Sequence, residues 1–247
     1  MESIKLVLVS RTGRHIYVRN TEEDYHCQYG MIKKEALGKA EETGVVQTNK
    51  GDELFAFSPG FLDSYKRIKR APQIIPLKDA AAIMAETGIG NQSTVVDAGT
   101  GSGALAIFLA NIAKKVVTYE IREDFAKIAS ENIEQLGIKN IVLKQKDIYR
   151  GIDEKNADAV TLDLPEPWKA IEPAKKALKT GGFIASYSPT IPQASDFVKE
   201  AVKSGLLHLK TIEIIQREWE LNERVIRPKS QQIGHSGFLT FVRKVSH

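Results

Sequence analysis

The sequence predicts an α/β protein: a doubly wound, largely parallel sheet whose last strand runs antiparallel, with a small β-rich domain ahead of it. Three observations predict it. From about residue 61 onward, strand-type apolar runs alternate with helix-type runs, the mark of a parallel sheet covered on both faces. The last two strand-type runs have no long helix between them, so they should pair antiparallel. Residues 1–60 lack the alternation and carry hairpin signals instead.

In that first domain, IKLVLVS and HIYVRN are short β-type runs split by the turn signal RTGR. VVQTNKGDELFAFSP reads as a second hairpin turning at Asn49-Lys50-Gly51-Asp52, and MIKKEALGKAEETG between them as a short helix or irregular loop. The second domain, 61–247, opens with FLDSYKRIKRAP and the helix-like KDAAAIMAETG, closed by Gly88. TVVDAG is a strand, SGALAIFLANIAK a helix starting at Ser102, KVVTYEI a strand, and EDFAKIASENIEQLG a helix ending on Gly137. NIVLKQKD, ADAVTLDL and GFIASYS follow as strands, with EPWKAIEPAKKALKTGG and PQASDFVKEAVKSG as helices. LKTIEIIQREW and GFLTFVRKV are the closing antiparallel pair.

Composition limits the function. The 247 residues can bury a substantial core, and the net charge of +4 permits an anionic partner without requiring one. Cys27 is the only cysteine, so an intrachain disulfide and a four-thiolate zinc site are excluded, and no metal is expected. Beside His26 it reads as a small, partly buried side chain. MESIKLVLVSRTGR has a short apolar run and an early acid, neither a signal peptide nor a membrane span, so a cytoplasmic protein is expected.

The first βα turn of the second domain reads Val96-Asp97-Ala98-Gly99-Thr100-Gly101-Ser102-Gly103-Ala104-Leu105. Its glycines allow close backbone approach, and the helix that follows aims free N–H groups at whatever lies above the loop. In a doubly wound, Rossmann-like sheet that is the ligand crevice. Gly99-x-Gly101-x-x-Ala104 matches a dinucleotide fingerprint, while Gly-x-Gly-x-Gly after an acid describes an S-adenosylmethionine loop. Both ligands need an acid at the end of the next strand, which Glu120 supplies. Asp147, after the third strand, can accept from an adenine amino group; the lesser alternative for either acid is a solvated strand-end carboxylate. Asp163 ends the fourth strand across the crevice. A third carboxylate there repels a pyrophosphate and suits a cationic sulfonium, which favours the methyl donor.

Asp163 opens the stretch DLPEPW, where Pro165 and Pro167 fix φ and restrict the residue before each. Such a loop holds one geometry. With these pieces assembled, the chain resembles the tRNA adenine-N1 methyltransferases that modify the T-arm, in their archaeal and bacterial homo-oligomeric form. The carriers are RAPQIIPLKDAAAI, VVDAGTGSGAL, YEIREDFAKIASENI, DLPEPW, LKTGGFIASYSP and RVIRPKSQQIGHSGFLTFVRK, spread over nearly the whole chain. The glycine loop alone places the chain only among methyltransferases; DLPEPW and the C-terminal carrier are more specific.

The resemblance implies a class I S-adenosylmethionine-dependent methyltransferase sheet, a homotetramer, and methylation of adenine N1 in the T-arm of tRNA (position 58, or 57 and 58). It implies donor contacts at Gly99, Gly101, Ser102, Gly103, Ala104, Leu105, Glu120 and Asp147, with Asp163 bordering the donor as the catalytic aspartate and Gln73 near the donor's methionine end. Two departures stand out. Pro76-Leu77 replaces the usual aromatic or histidine followed by proline, which bears on how the base is gated, and Asp97 replaces a frequent Glu.

Adenine N1 is a weak nucleophile that gains positive charge on methylation. A carboxylate near N6 and N1 can accept from the amino group and stabilise that charge. The base must first leave its stack, so backbone contacts must offset a cost of a few kcal/mol. Lys66, Arg67, Lys69 and Arg70 form one basic cluster and Arg224, Arg227 and Lys229 another, to be read as phosphate contacts or as solvated faces. Trp168 either stacks on the extruded base or closes its loop, and His235 orders the loop into the final strand. The alternatives are an N6-adenine methyltransferase, whose D/N-P-P-aromatic loop DLPEPW resembles with different spacing, a NAD-binding oxidoreductase, and a non-catalytic RNA-binding subunit. The last would be expected to lose the glycines or the strand-end acids that this chain keeps.

Overall fold

The computed structural model describes residues 3–70, 74–222 and 224–246. They divide into two compact units: the described residues up to Ile68 with Glu134–Gly137, and Lys69–Ile133 with the described remainder from Ile138.

The first unit runs β1 (Leu6–Ser10), β2 (His15–Val18), β3 (Tyr25–Cys27), β4 (Gly30–Ile32), α1 (Lys34–Gly38), α2 (Ala40–Thr43), β5 (Val45–Gln47), β6 (Glu53–Phe57) and α3 (Phe61–Tyr65). The two expected hairpins form, and β1 pairs with β6 to make an antiparallel sheet ordered β2-β1-β6-β5. Strict alternation in β6 buries Leu54 and Ala56 and exposes Phe55 and Phe57. Leu6, Leu8, Val18, Ile32, Leu37 and Leu54 share the core. The ribbon β3–β4 was not expected, because three-residue strands carry no readable period.

The second unit contains α4 (Leu77–Thr87), β7 (Thr94–Ala98), α5 (Ala104–Ala110), β8 (Lys115–Glu120), α6 (Glu123–Gln135), β9 (Ile141–Gln145), β10 (Ala157–Leu162), α7 (Ile171–Ala177), β11 (Leu178–Ser188), α8 (Ile191–Lys203), β12 (Leu207–Glu213), β13 (Trp219–Asn222), β14 (Val225–Pro228) and β15 (Phe238–Arg243). Its seven-stranded sheet is ordered β12-β15-β11-β10-β7-β8-β9, parallel from β11 to β9, with β15 antiparallel to both its neighbours. Strand order reverses between β7 and β10, and in such sheets the crevice at the reversal takes the ligand. Val95, Val96, Val116, Val117 and Val160 are fully shielded, as strands covered on both faces require.

Three boundaries differ from expectation. α5 starts at Ala104 rather than Ser102, because Gly103 adopts a left-handed φ of 82°. α7 stops at Ala177 instead of running through the glycines; Lys244 Nζ donates to the carbonyls of Lys175 and Leu178 at 2.9 and 2.7 Å and satisfies the free helix end. β12 ends at Glu213, and the residues beyond it lead into the antiparallel ribbon β13–β14.

Candidate active site

The glycine loop leaves β7 at Ala98, whose carbonyl accepts from the amide of Asp163 at 2.9 Å. The end of β10 is thereby tied to the start of the loop. Gly99 has φ 85°, and a Cβ placed on it would lie 1.9 Å from the Asp163 carbonyl oxygen. Only glycine fits there. The other side of the loop rests on β8: Gly99 and Thr100 donate to the Tyr119 carbonyl, and Glu120 accepts from the amides of Gly101 at 2.8 Å and Arg122 at 2.9 Å.

Beneath the loop, Asp97 is buried. It accepts from Thr118 on β8 at 2.6 Å and Thr161 on β10 at 2.7 Å, its register partners on either side. Burial pushes its carboxyl above the usual range despite those two bonds. Asp163 is partly buried above it, and its carboxyl is pushed up to about 7, by burial first and then by the charge of Asp97. A carboxyl so displaced in a cleft is a candidate functional group.

The cleft measures about 490 Å³. Glu120 and Asp163 supply its acids, with Ile121, Phe125, Leu164 and Tyr187 among its apolar walls. Pro165 of the stiff loop also lines it, held by Gln193 Nε2 donating to its carbonyl at 3.1 Å. Apolar walls around a few convergent polar groups are the usual form of a small-molecule site.

The comparisons then decide the family. Residues 66–226 match the model of the tRNA methyltransferase complex GCD14 subunit. A Methanocaldococcus jannaschii protein named tRNA (adenine(57)-N(1)/adenine(58)-N(1))-methyltransferase TrmI is 34% identical over 98% of this chain and 95% of its own. The chain belongs to this family. A second member, tRNA (adenine(58)-N(1))-methyltransferase TrmI of Thermus thermophilus, is 34% identical over 97% of this chain and 96% of its own. A Thermotoga maritima crystal structure, described as a SAM-dependent O-methyltransferase, superposes with a TM-score of 0.87 at 28% identity, over 100% of this chain and 95% of that one.

Membership in the GCD14/TrmI family removes the dinucleotide reading of the glycine loop and the oxidoreductase that went with it. The structure gathers Gly99, Gly101, Glu120 and Asp163 at one cleft. Ser102, Gly103, Ala104 and Leu105 carry the loop into α5, where Gly103 packs on Ala129. Asp147 does not line that cleft. It caps the short turn Ile148–Arg150, accepts from the Tyr149 amide at 2.9 Å and faces Arg150 at 3.6 Å. Trp168 sits on the turn Pro167–Ala170 and, like Leu164 and Tyr149, packs against the core; it is not among the described residues that line the cleft. Gln73 lies outside the described residues.

The basic residues after α3 fall into two units. Arg67 places its guanidinium over the Tyr17 ring, 4.1 Å from the centroid, and Lys66 is exposed in the first; in the second, Lys69 is bonded to Glu131 and Arg70 is exposed. Arg227, on the ribbon β13–β14, pairs with Glu220 at 3.1 Å, and Lys229 with Glu218. Among the described residues no cluster of His, Cys, Asp or Glu could hold a metal, and no helix is long and apolar enough to cross a membrane.

Two residues at or near the site were not singled out by the sequence: Tyr187 and Asn132. Tyr187, at the end of β11, lines the cleft; burial and then Asp79 push its hydroxyl up to about 12, and that hydroxyl donates to the Ser236 carbonyl. Its neighbour is a buried cluster in which Lys78 Nζ donates to Asp79 at 2.8 Å, the Ile214 carbonyl at 2.6 Å and Ser236 at 2.7 Å. Pro76, the odd residue before this cluster, caps α4, its carbonyl accepting from Asp79 and Ala80. Asn132 is fully buried on α6; it accepts from the Lys69 amide at 2.9 Å and donates to the carbonyls of Lys69 and Ser102, both at 2.8 Å. Only its place in the carrier YEIREDFAKIASENI hinted at it.

Proposed function

We propose that this chain transfers a methyl group from S-adenosylmethionine to N1 of adenine 58 of tRNA, with Asp163 as the carboxylate that meets the base. The observation that carries the reading is that Asp163, Glu120, Gly99 and Gly101 line one largely apolar cleft, in a chain that matches TrmI proteins over 97–98% of its length.

The residues present fit the donor. Gly99 lets the loop lie against the Asp163 main chain, which a side chain there would push away, and Glu120, with one amide on each oxygen, keeps acceptor capacity for two ribose hydroxyls. Ser102, Gly103, Ala104 and Leu105 would face the donor from the loop and the start of α5, Asp147 would accept from its adenine amino group, and Gln73 would lie toward its methionine end. When bound, the donor supplies an electrophilic methyl on a sulfonium. The chain's own part is orientation and charge. Asp163 accepts from the adenine amino group and stabilises the positive charge that grows on the ring, an effect of about a few kcal/mol. Gly99, Pro165 and Gln193 hold that carboxylate in place, and the apolar walls exclude water. Lys66, Lys69, Arg70 and Arg227 would contribute backbone contacts that offset extrusion of the base. A homotetramer in the cytoplasm completes the reading.

The test is mass spectrometry of nucleosides from unmodified tRNA incubated with the protein and S-adenosylmethionine, with position mapping. N1-methyladenosine at 58 supports the reading, and a second product at 57 would widen it. N6-methyladenosine overturns the assignment of the acceptor atom. No methylation by a chain that binds the donor overturns the substrate.

A further inference from the structure

The first unit carries a groove of about 370 Å³ whose lining holds three arginines, Arg14, Arg19 and Arg67, with His15, Tyr17 and Tyr25, and, among the described residues, no acid. β2 is an edge strand of its sheet, so His15 and Tyr17, two residues apart, share a face; their rings stack with centroids 6.2 Å apart and 20° between planes. The Arg67 guanidinium lies over the Tyr17 ring at 4.1 Å. A guanidinium over a ring face makes its contact through its π face and leaves its planar fork of N–H donors for other partners, the group best suited to a bidentate phosphate contact. Asp24, an acid in the neighbouring loop, is engaged by Lys33 at 2.9 Å and by the Lys34 amide.

We propose that this groove is a binding site for an RNA phosphate backbone, with the Arg67–Tyr17 stack as its platform and Arg14 and Arg19 as flanking phosphate contacts. The inference rests on the tRNA reading above and adds to it: the small domain grips the substrate and takes no part in chemistry. Charge decides the occupant. Three arginines, with no carboxylate among the described lining residues, repel a basic partner, and a guanidinium over one ring of a His15–Tyr17 stack suits a polyanion that also offers bases to stack.

Two measurements on the full-length protein test it. The first is tRNA affinity as a function of salt for the wild type and for Arg14→Glu/Arg19→Glu, with Lys199→Glu/Lys203→Glu on α8 as a charge-matched control. Affinity should fall at least tenfold and the log–log salt slope should shrink by about two, near the 0.7–0.9 expected per phosphate contact. Turnover at saturating tRNA and S-adenosylmethionine affinity should not change. The second uses Cys27, which lines the groove and is the chain's only cysteine. Bound tRNA should slow its modification by a maleimide at least fivefold in the unmutated protein.

An unchanged salt slope in a folded variant, or unprotected Cys27 under saturating tRNA, overturns the groove while leaving the enzyme reading intact. A change in oligomeric state with an unchanged slope also overturns it and makes the groove a contact between copies. A wild-type chain that does not bind tRNA at all overturns the function on which the inference rests, and the groove with it.

Discussion

Gly99 and Asp163 touch main chain to main chain: the position a Cβ would take on Gly99 lies 1.9 Å from the Asp163 carbonyl oxygen. The glycine loop and the loop that opens at Asp163 are therefore set against each other without any intervening side chain. Gly99→Ala should force them apart, adding about 1–2 kcal/mol of left-handed strain at φ 85° to the displacement. Turnover should fall at least a hundredfold even in protein that remains folded, because misplacement by an ångström costs that much. Single-turnover kinetics and a thermal melt measure both effects.

Asp163→Asn should separate function from stability. The substitution keeps the size of the side chain and removes its charge. Turnover should drop at least a hundredfold while S-adenosylmethionine affinity changes little. The melting temperature at pH 8 should rise, because the wild-type carboxyl is held near 7 in the fold against 3.8 as a free group. A folded-state pKa above the unfolded one means that the folded state binds the proton more tightly. Wild-type stability is thus lost as pH rises from about 4 toward 7, and Asn escapes that loss. Near-normal turnover would remove Asp163 from the chemistry.

The same carboxyl sets the pH profile. Acceptance from the adenine amino group needs the ionised form, so kcat/KM for tRNA should climb with pH through about 7 and then level off. In Asp163→Asn the residual rate should lose that rise. A wild-type profile flat from pH 5.5 to 8.5 would place the working pKa elsewhere.

Asn132 should act on the donor site from a distance. Asn132→Ala leaves the Ser102 carbonyl and both main-chain groups of Lys69 without their partner, at a cost of about 1–3 kcal/mol for a buried group. Donor KM should rise at least fivefold. Asn132→Asp should not rescue it, since a carboxylate can take the Lys69 amide but cannot donate to two carbonyls. Equal donor KM in wild type and both variants would reduce Asn132 to a packing residue.

His235 should latch its segment in a pH-dependent way. Its ring nitrogens face two acceptors, Glu213 at 2.5 Å and the Pro189 carbonyl at 2.8 Å, so satisfying both requires the doubly protonated imidazolium. Those bonds raise its pKa above 6.5, Glu213 first and Pro189 second, with Lys78 opposing. The latch is complete below about 6.5 and is lost as pH rises through the folded-state value. Proteolysis after Lys229, corrected for protease pH response, should quicken across that range in the wild type. In His235→Gln it should stay constant.

Much of this was readable along the chain. The order of strands and helices follows from apolar period and from turn residues, which act over a few residues at a time. Gly88 ends α4 in the left-handed conformation its position suggested, and the antiparallel final pair followed from a missing crossover helix. Glu120 and Asp163 could be placed at strand ends because strand ends are local features. The three-residue β3 and β4, and the ribbon β13–β14, were not legible, being too short to show a period. Trp168 illustrates the opposite limit: its type fits both a base platform and a core anchor, and only the fold shows that it packs, like Leu164 and Tyr149, against the core.

The sequence by itself therefore determined the architecture, the glycine loop after β7 and the strand-end acids Glu120 and Asp163, because glycine spacing, strand-end acids and hydrophobic period are properties of neighbours in the chain. Tertiary structure alone decided that Gly99 abuts Asp163, that Asp97 pins β8 and β10 from below, that Asn132 joins Lys69 to Ser102, and that Tyr187 reaches Ser236. Each of these joins residues 21 to 64 positions apart. Such contacts exist only once the sheet has closed its register and burial has made an unpaired polar group too costly to leave.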